Sequence, residues 1–525
     1  MLDVLFINPS DQRETYQHLA DEITALEPPI QCRLLASYVR KQGYSADIHD
    51  MQVSVLTPDE VVRLSPPCLV VVVAHGNQPS ASTQSMPAAI KVCRDLKDAF
   101  PDESKGGPWS QAAARSPYPI LVVGGHPAAL PEQTLQETGA DFVCTGEGPI
   151  SILDLLNMVT RPNWRKEPQP LLRSVAFLSD QINHDLSRTP MAVTNTGAAP
   201  NLSDLSEMPG DCWDLLPMEK YRAHVWHCLQ EESRSPYASI YTSLGCSFAC
   251  DFCMIQSQFR EGDALKLKGK ANSYRLWPAE IVGREIEALV EHYGVRNIKI
   301  ADEMFWLNRG HVSRVCDEVL KRGYGDKMNF WFYSRVDTVG DDDALLEKAR
   351  RAGMKWAALG IEALSDKVRD GVDKADYGAA DIFAAVARLR SHGINVIGNY
   401  IFGLPGDTAE SMQETLDLAL ALKTEFANFY AALAFPGSPL YSRLTAQGWK
   451  SPPWSAYSFH SYDHEPLPTE SLSSAEVLAF REKAVEAYFN DAGYLAMIRA
   501  KFGERAVDQV KALTAKKLPR KLLGD

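Results

Sequence analysis

No stretch of this 525-residue chain is apolar for long enough to cross a bilayer. Its longest apolar runs, CLVVVVA (Cys68–Ala74) among them, fall far short of the ~20 residues that a spanning helix needs. The opening MLDVLFINPSD carries Asp3 and Pro9 where a secretory leader would place a basic region and a longer apolar core. A cytoplasmic protein with no membrane partner is therefore expected. There is no basic excess either: 54 Lys and Arg stand against 67 Asp and Glu, for a net charge of −13, and no long basic run occurs. That excludes binding led by a phosphate backbone, so no nucleic-acid partner is expected. Cysteine is sparse, 10 in all, too few for a disulfide scaffold. Seven of the ten (Cys32, Cys68, Cys93, Cys144, Cys212, Cys228 and Cys316) are scattered and read as small buried hydrophobes. Repeats of solenoid period and low-complexity tracts are missing too. What remains, 45% apolar and 23% charged, is an ordinary globular composition, and the length predicts two to four domains.

The other three cysteines are not scattered. SLGCSFACDFCMIQ (243–256) places Cys246, Cys250 and Cys253 within eight positions. Here too an absence is informative, because no fourth cysteine stands at a partner spacing. Closed metal sites usually take four protein ligands, so three clustered thiolates suggest a site left open for an exchangeable fourth. A structural zinc, or an electron-transfer cluster, would need a remote fourth ligand such as Cys228 or Cys316.

Periodicity gives the frame. In residues 1–160, strand-like runs (DVLFINP, SADIHDM, CLVVVVA, PILVVGG, ADFVCTG) alternate with helical ones (PPIQCRLLASYVRKQG, SMPAAIKVCRDLKDAF), which predicts a doubly wound, Rossmann-like sheet. DESKGGPWSQAAARSPYP reads as an exposed insert. Residues 161–235 read as a connecting segment. From 236 to 445 six further strands (ASIYTS, VRNIKIADE, MNFWFYSRVD, KWAALGIEA, INVIGNYIFGLPG, FANFYAALAFPGSP) alternate with helices. They predict a full or partial β/α (TIM-like) barrel with its site at the carboxyl ends of the strands. Residues 446–525 read as a mostly helical C-terminal region. The fold class is α/β throughout.

The CxxxCxxC spacing, with Phe252 directly before the third cysteine, resembles the radical S-adenosylmethionine superfamily. The resemblance implies a 4Fe–4S cluster on Cys246, Cys250 and Cys253. Its fourth iron is chelated by the methionine end of S-adenosylmethionine, so that the cosubstrate is the missing ligand. Reductive cleavage then yields a 5′-deoxyadenosyl radical, which implies an external electron donor such as a flavodoxin or ferredoxin. The same resemblance implies that Asp302 and Glu303 receive the methionine ammonium. It puts Ser334 and Arg335 at the strand end where an arginine pairs with the methionine carboxylate. Gly360 and Glu362 of GIEA fall at the ribose, and Gly398 of GNYIFGLPGD falls on the adenine side. The family's Gly-Gly-Glu motif is replaced by IADE, which leaves open which carboxylate meets the ammonium.

The N-terminal domain lacks GxGxxG on its first strand, which argues against a dinucleotide ligand. Its loops (NPSDQ, HGNQPSAST, GGHPAALPE, TGEGP) are rich in glycine and small hydroxyl residues, suiting close approach to a large cofactor. They resemble the cobalamin-binding domain that precedes the barrel in one large class of the superfamily, as do GDCWDLLPMEKYR and IFGLPGD; the likeness covers most of residues 1–445. His75, Gln78, Ser80, Ser82, Gly124, Gly125, Gly146 and Glu147 are the expected cofactor-pocket residues. The Asp-x-His-x-x-Gly signature is missing; DIHDMQ lacks its glycine and follows the second strand. This implies cobalamin bound with its own base displaced and no histidine on cobalt. The class implies a methyltransferase acting on an unactivated carbon or a phosphinate phosphorus of a small molecule. A cyclase or ring-rearranging enzyme is the alternative, and a non-catalytic redox or cobalamin-sensing module the alternative of another class. Trp306, Trp331 and Tyr333 are the aromatic residues expected near the barrel mouth.

Overall fold

The computed structural model describes residues 2–57, 61, 67–76, 81–99, 118–162, 164, 171–178, 193–197, 199–231, 233–255, 257, 274–374 and 377–525. The expected exposed insert lies almost wholly outside them. Seven strands make the first sheet: β1 (Val4–Asn8), β2 (Ala46–Asp50), β3 (Leu69–Val73), β4 (Ile120–Val123), β5 (Phe142–Cys144), β6 (Val175–Leu178) and β7 (Val193–Asn195). Their order is β2-β1-β3-β4-β5-β6-β7, parallel up to β5 and antiparallel beyond it. Strands β1, β3 and β4 (VLFIN, LVVVV, ILVV) are buried at every position, as expected when helices cover both faces of a parallel sheet. The chain direction across the sheet reverses between β1 and β3, and ligands bind outside the carboxyl ends at such a point. The segment read as a connection contributes two of these strands: β6 and β7 extend the sheet before the chain crosses to the second domain. They are too short, and β7 too exposed, to show a buried-strand pattern.

The second sheet contains β8 (Tyr237–Ile240), β11 (Asn297–Ile300), β12 (Asn329–Arg335), β13 (Met354–Glu362), β14 (Asn395–Phe402) and β15 (Phe426–Ala431), all parallel and in chain order. Between β8 and β11 lies a short antiparallel pair, β9 (Ser243–Leu244) with β10 (Arg275–Leu276). Every strand of the barrel expected from sequence is present. Among the described residues the sheet does not close on itself, since β8 and β15 are its two edges: this is a partial barrel. Helices such as Ala279–Tyr293 cover its outside with apolar residues at helical spacing (Val282, Ile286, Leu289, Val290). The C-terminal region forms helices Ser474–Phe489, Ala492–Phe502 and Glu504–Thr514; the last two are separated by Gly503, whose φ of 86° suits glycine.

Among the described residues, three ion pairs join the first domain to the barrel: Arg33 to Glu285 at 2.6 Å, Arg275 to Glu147 at 2.7 Å and Lys299 to Glu27 at 3.0 Å. Ser257, just past the cysteine loop, donates to the Gly125 carbonyl at 3.1 Å. The carboxyl edge of the first sheet therefore meets the cysteine loop of the second. Among the described residues, no helix is long and apolar enough to cross a membrane.

Candidate active site

The cysteine loop leaves the end of β8 and is fixed there by Asp302, at the end of β11. The Asp302 carboxylate accepts from the Thr242 amide, the Thr242 hydroxyl and the Ser243 hydroxyl, each at 2.6 Å. It is fully buried, and burial outweighs those donors to push its carboxyl up to about 6. Farther along, the Asp251 amide donates to Val372 and its carboxylate pairs with Arg443, while the Cys253 amide donates to Cys250. The loop thus presents Cys246, Cys250 and Cys253 from a pinned frame. Burial, with the neighbouring thiols adding to it, pushes Cys246 up to about 11 and Cys253 up to about 12. A bound metal favours the thiolate form of such thiols. Among the described residues, no three His, Cys, Asp or Glu side chains converge to hold a single ion.

Around the loop stand the charges that a sulfonium amino acid would need. Arg335, at the end of β12, lies with its guanidinium 3.7 Å over the Phe248 ring and Nη1 3.6 Å from Cys250 Sγ. Asp337 holds it with bonds of 2.9 and 3.0 Å, and it also donates to the Lys374 carbonyl. Glu362 ends β13 at a register shift, with φ of 63°, a conformation costly for a non-glycine residue and concentrated at functional sites. It pairs with buried Lys374, whose ammonium is pushed up by that carboxylate despite burial. Gly360 leaves room for them: a Cβ there would sit 2.9 Å from Glu362 Oε1 and 3.1 Å from Lys374 Nζ.

Glu303 differs from its neighbour Asp302. Tyr241 donates to one oxygen at 3.4 Å, whereas Oε2 is buried with no hydrogen-bond partner. Burial pushes its carboxyl up to about 8, although backbone amides of Glu303 itself and Gly245 pull the other way. An unpartnered buried carboxylate oxygen close enough to Cys246 for its charge to act on that thiol fits an ammonium ligand, whereas both Asp302 oxygens already accept hydrogen bonds. Two residues expected at this site lie elsewhere. Ser334 alternates with Arg335 onto the opposite face of β12 and bonds Thr338 at 3.1 Å. Gly398 faces away from Asn399, which bonds Asn428 on the lumen side, and a Cβ at 398 would come within 2.7 Å of the Tyr400 hydroxyl. Lys374, Tyr241, Phe248 and Asp337 were not singled out from sequence.

On the facing edge, Gly124 packs so tightly that a Cβ would overlap the Ala74 carbonyl, pressing together the loops after β3 and β4. Ser82, fully buried, ties them further by donating to Ala74 and accepting from the His126 amide. His75 is buried, with Nδ1 3.2 Å from the Gly76 carbonyl, and burial holds it down to about 4. Gly125 accepts from Ser257, and Gly146 accepts from the Cys144 thiol. Gln78 and Ser80 lie outside the described residues. Glu147 is committed to the domain interface: it pairs with Arg275 through both oxygens, at 3.2 and 2.7 Å, and accepts from the Leu202 amide. His126, not singled out from sequence, is fully buried with neither ring nitrogen partnered, 4.7 Å from the Trp454 ring, and burial holds it down to about 3. A backbone seam without side chains, beside an unsatisfied polar ring, fits a large cofactor with amide arms.

A cavity of ≈ 1010 Å³ occupies the open side of the partial barrel, between β8 and β15, and is closed by residues 16–27 and the C-terminal helices. The cysteines and Glu362 do not line it. It borders their site through Tyr333 and Tyr430, which line the cavity and whose hydroxyls are shifted in part by the charges of Glu303 and Glu362.

Comparison with known proteins agrees with this division. The Radical SAM superfamily model matches residues 240–419 and the B12 binding domain model matches residues 17–156, between them more than half of the chain. The anaerobic magnesium-protoporphyrin IX monomethyl ester cyclase of Cereibacter sphaeroides is 25% identical over 85% of this chain and 64% of its own length. An uncharacterized methyltransferase of Pyrococcus horikoshii is 26% identical over 62% of this chain and 63% of its own length. The chain thus spans just under two thirds of each relative. Among solved structures, the radical S-adenosylmethionine methyltransferase TsrM of Kitasatospora setae, with cobalamin and a [4Fe-4S] cluster bound, superposes with a TM-score of 0.60 at 16% identity, covering 86% of this chain and 80% of that one. At that identity it shows a shared fold.

Proposed function

The chain belongs to the cobalamin-dependent radical S-adenosylmethionine enzymes, and from this premise we propose that it is a methyltransferase acting on an unactivated carbon or a phosphinate phosphorus of a small molecule. Its cofactors are a 4Fe–4S cluster, S-adenosylmethionine and cobalamin. When bound, the cluster supplies the electron that splits S-adenosylmethionine, and cobalamin carries the methyl group. The protein's own residues hold and orient them. Cys246, Cys250 and Cys253 anchor three irons; Glu303 takes the methionine ammonium, Arg335 its carboxylate, and Glu362 the ribose. Gly124 and Gly125, with Ser82 and His75 behind them, form the wall on which the corrin lies. Electrons come from an external flavodoxin or ferredoxin.

The observation that carries this reading is the open three-thiol loop seated, through Ser257 and Gly125, against the carboxyl edge of the first sheet. The loop serves radical generation and the facing edge methyl transfer, and the ≈ 1010 Å³ cavity, which borders the loop's site through Tyr333 and Tyr430, is the substrate chamber. Similarity to an anaerobic cyclase over most of the chain supports a second reading, cyclisation or ring rearrangement. The stoichiometry of the reduced holoenzyme with methyl-labelled S-adenosylmethionine and substrate separates the two. A hydrogen-abstracting methyltransferase releases S-adenosylhomocysteine and 5′-deoxyadenosine in similar amounts, with label in product. A cyclase leaves S-adenosylhomocysteine at background, which would overturn the methyltransferase reading.

A further inference from the structure

The cavity wall carries a cation that the chemistry above does not use. Lys299 projects from β11 into the barrel lumen and is only 3% exposed. Its Nζ lies 3.0 Å from Glu27 Oε2, which also accepts from the Ser239 hydroxyl at 2.9 Å. The same ammonium stands 5.1 Å from the Trp331 ring and 5.9 Å from the Tyr333 ring. Burying a lysine inside a barrel is costly unless a carboxylate compensates it. Here the carboxylate comes from another domain, on the segment just before Pro28 and Pro29.

Of the three ion pairs that join the two domains among the described residues, this one is placed differently. Arg33–Glu285 and Arg275–Glu147 are away from the cavity, as pairs that only fasten an interface can be. Glu27 and Lys299 both line it. A latch alone gains nothing from facing a chamber of ≈ 1010 Å³. An anion receptor does, because Glu27 then keeps the site charge-balanced while it is empty. The surrounding wall is aromatic: Trp226, Trp331, Tyr333, Phe426 and Tyr430 line the same cavity. Flat apolar surface beside a buried cation matches a specific ligand chemistry.

Resting on the reading of this chamber as the substrate site, we propose that Lys299 binds the carboxylate of an aromatic, carboxylate-bearing substrate, which takes the place of Glu27 on the ammonium while its ring system lies against Trp331 and Tyr333. Lys299 is thereby a specificity-determining residue. It is not catalytic, and no bond is made or broken at it.

The test measures binding, so it stands whether the product is methylated or cyclised. Calorimetric titration of the anaerobically reconstituted full chain uses two probes of one shape, 2-naphthoate and 2-naphthamide. The native protein should bind the carboxylate about ten-fold tighter than the amide, the scale of one charged hydrogen bond. Lys299→Met should erase that preference, and Lys299→Arg should restore part of it. Because Lys299→Met leaves Glu27 buried without its partner, the charge-neutral pair Lys299→Met with Glu27→Gln serves as the folded control. It too should show no preference, with native iron and cobalamin content. Equal binding of the two probes by the native protein would overturn the proposal. So would a carboxylate preference that survives in the neutral double variant.

Discussion

At the scale of single residues, Asp302 and Glu303 show how two adjacent carboxylates divide their work. Three donors from Thr242 and Ser243 engage both oxygens of Asp302, so it fixes the start of the cysteine loop; Glu303 keeps a buried oxygen without a partner. Asp302→Asn should therefore release the loop and lower the iron retained per chain. Glu303→Gln should keep its iron but weaken S-adenosylmethionine binding about ten-fold. Iron assay and equilibrium dialysis read the two effects separately, and two variants with the same phenotype would contradict this division. The sequence showed both residues at one strand end and left their roles open, because the donors that distinguish them, Thr242 and Ser243, lie on another strand's end. The cysteines were legible from spacing alone. Lys374 was not: it reaches Glu362 from a turn after the short helix Asp366–Asp370, and no local pattern marks it. Arg335 was legible as a strand-end arginine, but its contact with Cys250 was not.

At the scale of elements, the strands were read well because uninterrupted β-branched or alternating runs have few other solutions. The partial barrel's lack of closure could not be read, since strand count alone does not say whether the edges β8 and β15 meet. The antiparallel strands β6 and β7 were lost in a segment with no clear period. The loops after β3 and β4 carry the sharpest prediction here. Gly124→Ala would force apart two backbones in contact, costing about 1–3 kcal/mol in strain. Cobalamin content per chain, measured by absorbance after gel filtration, should drop with it; a variant that keeps native content and stability would show that the close approach is dispensable. The same loops predict how cobalt is held. His75 is buried against the Gly76 carbonyl, so paramagnetic resonance of the cob(II)alamin form should show no nitrogen superhyperfine splitting from a lower ligand. Splitting that disappears in His75→Ala would contradict it.

At the scale of the whole molecule, the proposed function depends on two sheets meeting edge to edge, and buried ion pairs cross that meeting. Glu285 is raised by burial to about 7 even though Arg33 opposes the shift. The folded protein therefore keeps a proton there that the unfolded chain has shed, and this group's contribution to stability declines as pH rises through the interval from 4.5 to about 7. Apparent melting temperature followed across that range should fall less steeply in Glu285→Gln than in the native protein; parallel curves would contradict the assignment. None of the interface pairs was legible in the sequence. Arg33 and Glu285 are 252 positions apart, and nothing in the spacing of TGEGP points to the pairing of Glu147 with Arg275. The central claim, that Cys246, Cys250 and Cys253 anchor the centre that splits S-adenosylmethionine, is tested most directly by 5′-deoxyadenosine formation in the anaerobically reconstituted, chemically reduced full chain. The native protein should hold about four irons per chain and form 5′-deoxyadenosine, while the triple Cys→Ala variant should retain cobalamin and form none. A triple variant that forms as much as the native protein, or a native protein with its full iron content that forms none, would contradict the account.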